Sequence, residues 1–144
     1  MMIGLYVSVP VACFRKGLAR EYLETEAIPP PSTCYGFLLS LVGETQRERH
    51  VGCRVVPALL NRAAQSVVLR TVWRIKKTPL GSAGNTRPDY QQLLSDVRIV
   101  IWLDSSAEAS TPSLEDRVRI ALTRPGQSQR LGGLSLDDRT HLVN

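Results

Sequence analysis

From Met2 to Ala12 the chain reads MIGLYVSVPVA, with Ile3, Leu5, Val7 and Val9 alternating against Gly4, Tyr6 and Ser8. A period of two places the first set on one face of a half-buried strand. The polar connection CFRKGLAREYLETEAIPPP follows and carries Arg15, Lys16 and Arg20. Its three closing prolines hold the backbone extended, because each fixes its own φ and pushes the residue before it out of the helical region. Directly after them Phe37, Leu38, Leu41 and Val42 recur at helical spacing. That spacing predicts a helix over Ser32 to Val42, capped by Ser32 or Thr33 and closed by Gly43.

Beyond the helix, HVGCRVVPALLN reads as a second strand or an irregular edge, since Pro57 removes a ladder donor. In SVVLRTVWRIKK, Leu69, Thr71, Trp73 and Ile75 alternate with Arg70, Val72, Arg74 and Lys76, which predicts a strand with one apolar and one basic face. DVRIVIWLD turns Val97, Ile99, Ile101 and Leu103 inward, and these two strands are expected to pair as antiparallel neighbours. The stretch TPLGSAGNTRPDYQQLL between them is too long for a tight hairpin and reads as a functional loop. TPSLEDRVRIAL marks a second helix, with a cap candidate at its start, Pro112 in its first turn, early acids Glu115 and Asp116, and a stripe of Leu114, Val118, Ala121 and Leu122. RLGGLSLDDRTHLVN closes with a glycine pair and a short apolar segment, Leu142 and Val143, that reads as a last strand. The order is approximately β-α-β-β-α-β, an α+β pattern of the ferredoxin-like or RNA-recognition type.

Composition adds a partner class. The 144 residues fit one domain, and 43% hydrophobic with 22% charged residues is an ordinary globular balance. Eighteen Lys and Arg against thirteen Asp and Glu give a net charge of +5, and only Lys16, Lys76 and Lys77 are lysines. Guanidinium groups bond phosphate in pairs and stack on bases, so an arginine-rich excess favours a nucleic-acid partner. Aromatic residues are 6%, without the paired stacking aromatics of an ordinary RNA-recognition motif, so base stacking on the open sheet is not the expected binding mode. Cys13, Cys34 and Cys53 lack disulfide or zinc spacing and read as small buried residues in a reducing cytoplasm. No signal-type or bilayer-spanning apolar run stands out, and a soluble intracellular chain without membrane contact is expected.

Catalytic chemistry is sparse. His50 in RERHVG reads as a residue of a solvated turn and His141 as a structural histidine opening a strand; no nucleophile elbow or metal-ligand cluster stands out, and neither a cofactor nor a metal is expected. Binding features are richer. Arg15, Lys16 and Arg20 follow the first strand, and the helix start over Ser32, Thr33, Tyr35 and Gly36 offers backbone amides to an anion. Arg70, Arg74 and Lys76 lead through Lys77 to the glycine-rich loop and Arg87, while Gly132 and Gly133 beside Arg130 allow close backbone approach to a phosphate. Each cluster alone reads equally as a solvated face or a tight turn.

The pieces LYVSVPVACFR, PPPSTCYGFLLSLVGE, VVLRTVWRIKK, NTRPDYQQLLSDVRIVIWL and RLGGLSLDDRTHLV together resemble the Cas five family of the RAMP superfamily, in its type I-B-like form. The resemblance spans nearly the whole chain in order. It implies a ferredoxin-like, RNA-recognition-type core with a β-hairpin thumb inserted at about 73–92 of one domain over 1–144. It further implies a non-catalytic Cascade subunit that caps the 5′ handle of the crRNA at the first helix start and the glycine-rich segment. Its partners would be the backbone subunit, reached by the thumb, and the large subunit, with target DNA met through the assembled complex. Family members commonly continue past the HLVN end, so the chain is either a minimal member or a truncated one. One branch cuts precursor RNA with a tyrosine, lysine and histidine set that Tyr35, Lys76 or Lys77, and His50 or His141 do not convincingly match. A processing endoribonuclease and a purely structural adaptor are the competing readings.

Overall fold

The computed structural model describes residues 2–18, 22–73, 79–130, 132–136 and 143. Strand β1 (Met2–Ala12) is followed by three two-residue strands, β2 (Phe14–Arg15), β3 (Tyr22–Leu23) and β4 (Thr25–Glu26). Then come helix α1 (Pro31–Leu41), β5 (Arg54–Leu59), β6 (Ala64–Trp73), β7 (Thr86–Asp104) and helix α2 (Leu114–Thr123), with short 3-10 turns at Ala83–Asn85 and Pro125–Gln127. The last half of β7 is the centre of the core sheet, antiparallel to β1 through Val7↔Ile99 and to β5 through Pro57↔Ile101. Both helices lie on one face, giving the two-layer α+β arrangement the strand order implies. The last strand expected at the chain's end falls largely on residues outside those described, although the Val143 amide donates to the Leu134 carbonyl at 2.9 Å.

The core follows the period-two reading. Leu5, Val7 and Val9 of β1 and Val97, Ile99, Ile101 and Leu103 of β7 are buried against Phe37, Leu38 and Leu41 of α1 and Leu114, Val118 and Ala121 of α2. Leu122 is instead exposed, one step off the stripe. The opposite sheet face is open. There Trp102 lies across Gly4, where a Cβ would stand 2.8 Å from the ring, and Tyr6 is exposed two residues along β1. Two of the few aromatic residues therefore do occupy the open face.

The expected pairing of 66–77 with 96–104 is corrected. β6 pairs with the first half of β7, from Ala64↔Ser95 to Trp73↔Thr86, so the segment expected as a loop is strand from Thr86 onward. The resulting ribbon starts nine residues before the excursion expected at 73–92. Asp96, at φ 56, marks the bend between ribbon and core halves of β7. Asn61 patches that bend, donating to the Asp96 carbonyl at 2.6 Å and accepting from the Arg98 amide at 2.9 Å. Because the helices pack only on the core half, the face expected to be buried is exposed: Leu69 is 62% and Trp73 65% accessible. Tyr22 of β3 joins this face beside Tyr90, their ring centroids 6.3 Å apart.

Candidate nucleic-acid interface

Helix α1 begins one residue before the expected Ser32, and its cap lies two residues before the first hydroxyl. Pro31 occupies the first helical position, for which its fixed φ is suited, and Pro30 is the cap residue, with no side-chain capping bond. Ser32 and Thr33 therefore lie inside the first turn. The Thr33 amide already donates to the Pro30 carbonyl at 3.0 Å and Pro31 has no N–H, so of the first three positions only Ser32 keeps an uncommitted amide. At the other end the Gly43 and Glu44 amides donate to the Ser40 and Leu39 carbonyls, a paired C-terminal closure with Gly43 at φ 67.

Along its solvent side α1 presents Ser32, Thr33, Gly36 and Ser40. Together with Arg47 and Ser135 these line an open groove of about 390 Å³. The helix start and the segment after the glycine pair thus share one concave surface. Arg47 was not singled out in the sequence, yet it borders both this groove and a second of about 290 Å³ that runs over Tyr35, Val51, Cys53 and Val55. Its guanidinium lies 5.9 Å from the Tyr35 ring centroid, and a Cβ on Gly36 would meet its Nη1 at 3.8 Å. The Tyr35 hydroxyl donates to the Arg47 carbonyl at 2.5 Å, tying the loop to the helix. Burial raises the Tyr35 phenol above its ordinary value.

A buried polar cluster behind this loop is the feature the sequence hid. His50, expected in a solvated turn, is 0% exposed. Arg117 of α2 donates to its Nε2 at 2.8 Å, so Nδ1 carries the proton and faces Glu108 and the Ser110 hydroxyl. The same guanidinium bonds Glu44 at 2.5 Å and the Val42 carbonyl at 3.1 Å, joining the end of α1 to α2. Glu108 also accepts the Leu114 amide at 3.0 Å, while Ser113 caps α2 by accepting the Asp116 amide at 3.1 Å. The helix cap is therefore Ser113, with Pro112 just outside. Burial acts to raise the Glu108 carboxyl, but bonds from Ser110, His50, Leu114 and Ser105 outweigh it and leave it below the ordinary value. The Gln46 amide, then Arg117, hold Glu44 at about 2. Both ring nitrogens of His50 are engaged and the residue has no exposed surface, although it borders the second groove from beneath.

The remaining predicted positions are distributed elsewhere. Arg15 is exposed on β2 and Lys16 follows it, its amide bonded to the Glu24 carbonyl at 2.9 Å. Arg70 donates to Gln91 across the ribbon, and Arg87 pairs with Asp89, two residues along β7, at 2.9 Å. Arg130, Gly132 and Gly133 are exposed, with Gly132 at φ 87. None of these lines the α1 grooves. Arg20, Arg74, Lys76, Lys77 and His141 lie outside the described residues.

No protein-family model matches the chain. A solved chain titled "CRISPR RNA-guided surveillance complex" superposes with a TM-score of 0.66 at 13% identity, over 99% of this chain and 60% of that one. The two chains therefore share a fold. The CRISPR-associated protein Cas5 of Myxococcus xanthus (strain DK1622) is 58% identical over 146 residues, covering 99% of this chain and 68% of the relative. The chain belongs to the Cas5 family, and it spans about two thirds of that curated relative's length.

Proposed function

We propose that the chain is a non-catalytic subunit of a type I, Cascade-type CRISPR effector complex, working in the cytoplasm, that holds the 5′ handle of the guide RNA. The observation that carries this reading is the groove in which the α1 start, Arg47 and Ser135 meet. Its hydroxyls and the Ser32 amide suit phosphate oxygens and ribose, and Arg47 supplies the charge. The three prolines place that helix start against the segment following the glycine pair, which answers why so rigid an approach precedes an ordinary core helix. The β6–β7 ribbon is a thumb whose exposed face of Val67, Leu69, Trp73, Tyr22 and Tyr90 suits an apolar contact with a backbone subunit. Contact with the large subunit and action on target DNA follow from assembly.

Equilibrium titration of a fluorescent handle RNA against the purified chain tests the reading. Arg47→Ala is expected to weaken binding roughly tenfold, in line with loss of a charge-assisted contact. The dependence of log affinity on log salt should flatten by about 0.7, the share of one phosphate on a single strand. Affinity indifferent to both salt and Arg47 identifies a structural adaptor instead.

A further inference from the structure

The second groove, between α1 and the segment from Arg47 to Val55, has a chemistry of its own. At about 290 Å³ it sits at the low end of small-molecule sites, roughly 300–1,000 Å³, which is room for one planar ring system and not for a stack of several. The Tyr35 ring with Val51 and Val55 makes apolar walls, while Ser32 contributes a hydroxyl and its uncommitted amide at one end. Cys53 lines the groove as a half-buried thiol whose pKa burial raises, so it stays neutral and uncharged toward RNA. At the mouth the Arg47 guanidinium lies against the Tyr35 ring, leaving a planar cation able to stack on a base or bond a phosphate.

The walls are set before anything binds. The Tyr35 hydroxyl is spent on the Arg47 carbonyl, which fixes the ring in the wall with the Arg47 guanidinium beside it, and Gly52, at φ 102, presses so close to the Ala107 carbonyl that a Cβ there would stand 2.4 Å from it. His50 anchors the same turn from beneath. Because Arg47 borders both grooves, a strand whose phosphate crosses it has one groove for its backbone and the other for a single side group. Unstacked bases held on aromatic and guanidinium planes are how proteins read single-stranded RNA.

We infer that the groove walled by Tyr35, Val51, Cys53 and Val55 receives one unpaired nucleobase of the bound RNA, with Arg47 over the adjoining phosphate. This rests on the handle-binding reading and deepens it to a base-reading site. Two measurements test it with the unaltered chain. In the first, handle RNAs carrying a single abasic nucleotide at each position in turn are titrated. One position is expected to lose roughly tenfold in affinity, the worth of one base on an aromatic platform, while the others change little. In the second, alkylation of Cys53 by N-ethylmaleimide is followed by peptide mass spectrometry, Cys13 and Cys34 being buried. Saturating intact RNA should slow Cys53 modification at least tenfold, and RNA abasic at the sensitive position should not. Cys53 modified at the same rate with and without saturating RNA overturns the inference even where RNA binds. If no handle RNA binds at all, it is the functional reading that fails.

Discussion

His50→Ala is expected to destabilise the folded chain by about 3 kcal/mol, combining the cavity left by a fully buried ring with loss of the partner that Glu108 and Arg117 share. Denaturant unfolding followed by circular dichroism measures it. A solvated histidine would give a change within about 0.5 kcal/mol, which would remove the buried-cluster account. Acid titration reads the same cluster independently. Glu44, at about 2 in the folded chain against an ordinary 4.5, and Glu108, also lowered, contribute stability that is fully present above the unfolded value. As pH falls the unfolded chain takes up protons first, so stability drops from about pH 4.5 and continues to drop toward pH 2 through Glu44. In His50→Ala, Glu108 loses one of the bonds that lowers it, and the acid-side slope becomes shallower.

The second large effect is expected at Gly43. Its φ of 67 is a conformation L residues resist, and a Cβ there would stand 1.9 Å from the Gln129 carbonyl. Alanine must both strain its own backbone and push away the chain that leads to Ser135. A loss of at least about 2 kcal/mol follows, since strained backbone alone costs roughly 1–3 kcal/mol. Gly36→Ala is the matched control: its Cβ meets only Arg47 Nη1 at 3.8 Å, ordinary contact, and its φ is not positive. If Gly43→Ala unfolds at the same denaturant concentration as the unaltered chain, the packing of Ser128, Gln129 and Arg130 against the end of α1 is not as described.

The core was legible because burial and period coincide there. Every inward residue expected in 97–103 of β7 and in α1 is buried, and Gly43 closes α1 as its position implied. The ribbon misled for a physical reason. Leu69 and Trp73 alternate as a buried face should, but the helices do not extend over β6, and a two-stranded arm leaves that face in water. The glycines of 79–85 truly form a turn, yet nothing in Thr86–Leu94 announces that β7 continues through them as one strand bent at Asp96. The site divided in the same way. Ser32, Thr33 and Gly36 could be named because a helix start is written locally, and the groove does gather them. Arg47 and Ser135 could not, since their significance lies in which segments meet. Glu44, His50, Glu108 and Arg117 stand far apart along a chain rich in charged residues, and only their tertiary convergence distinguishes them from solvated neighbours. Arg70 and Arg87 stand out by their charge alone, and the pattern could not show that Arg70 meets Gln91 on the paired strand while Arg87 meets Asp89 two residues along its own strand.

Sequencing, from its 5′ end, the RNA that copurifies with the tagged chain in its assembled complex tests the central claim most directly. The account predicts a uniform repeat-derived handle whose retention is lost when Arg47 and the α1 hydroxyls Ser32 and Thr33 are replaced together. A complex that assembles and keeps an unchanged handle with those residues replaced would contradict it.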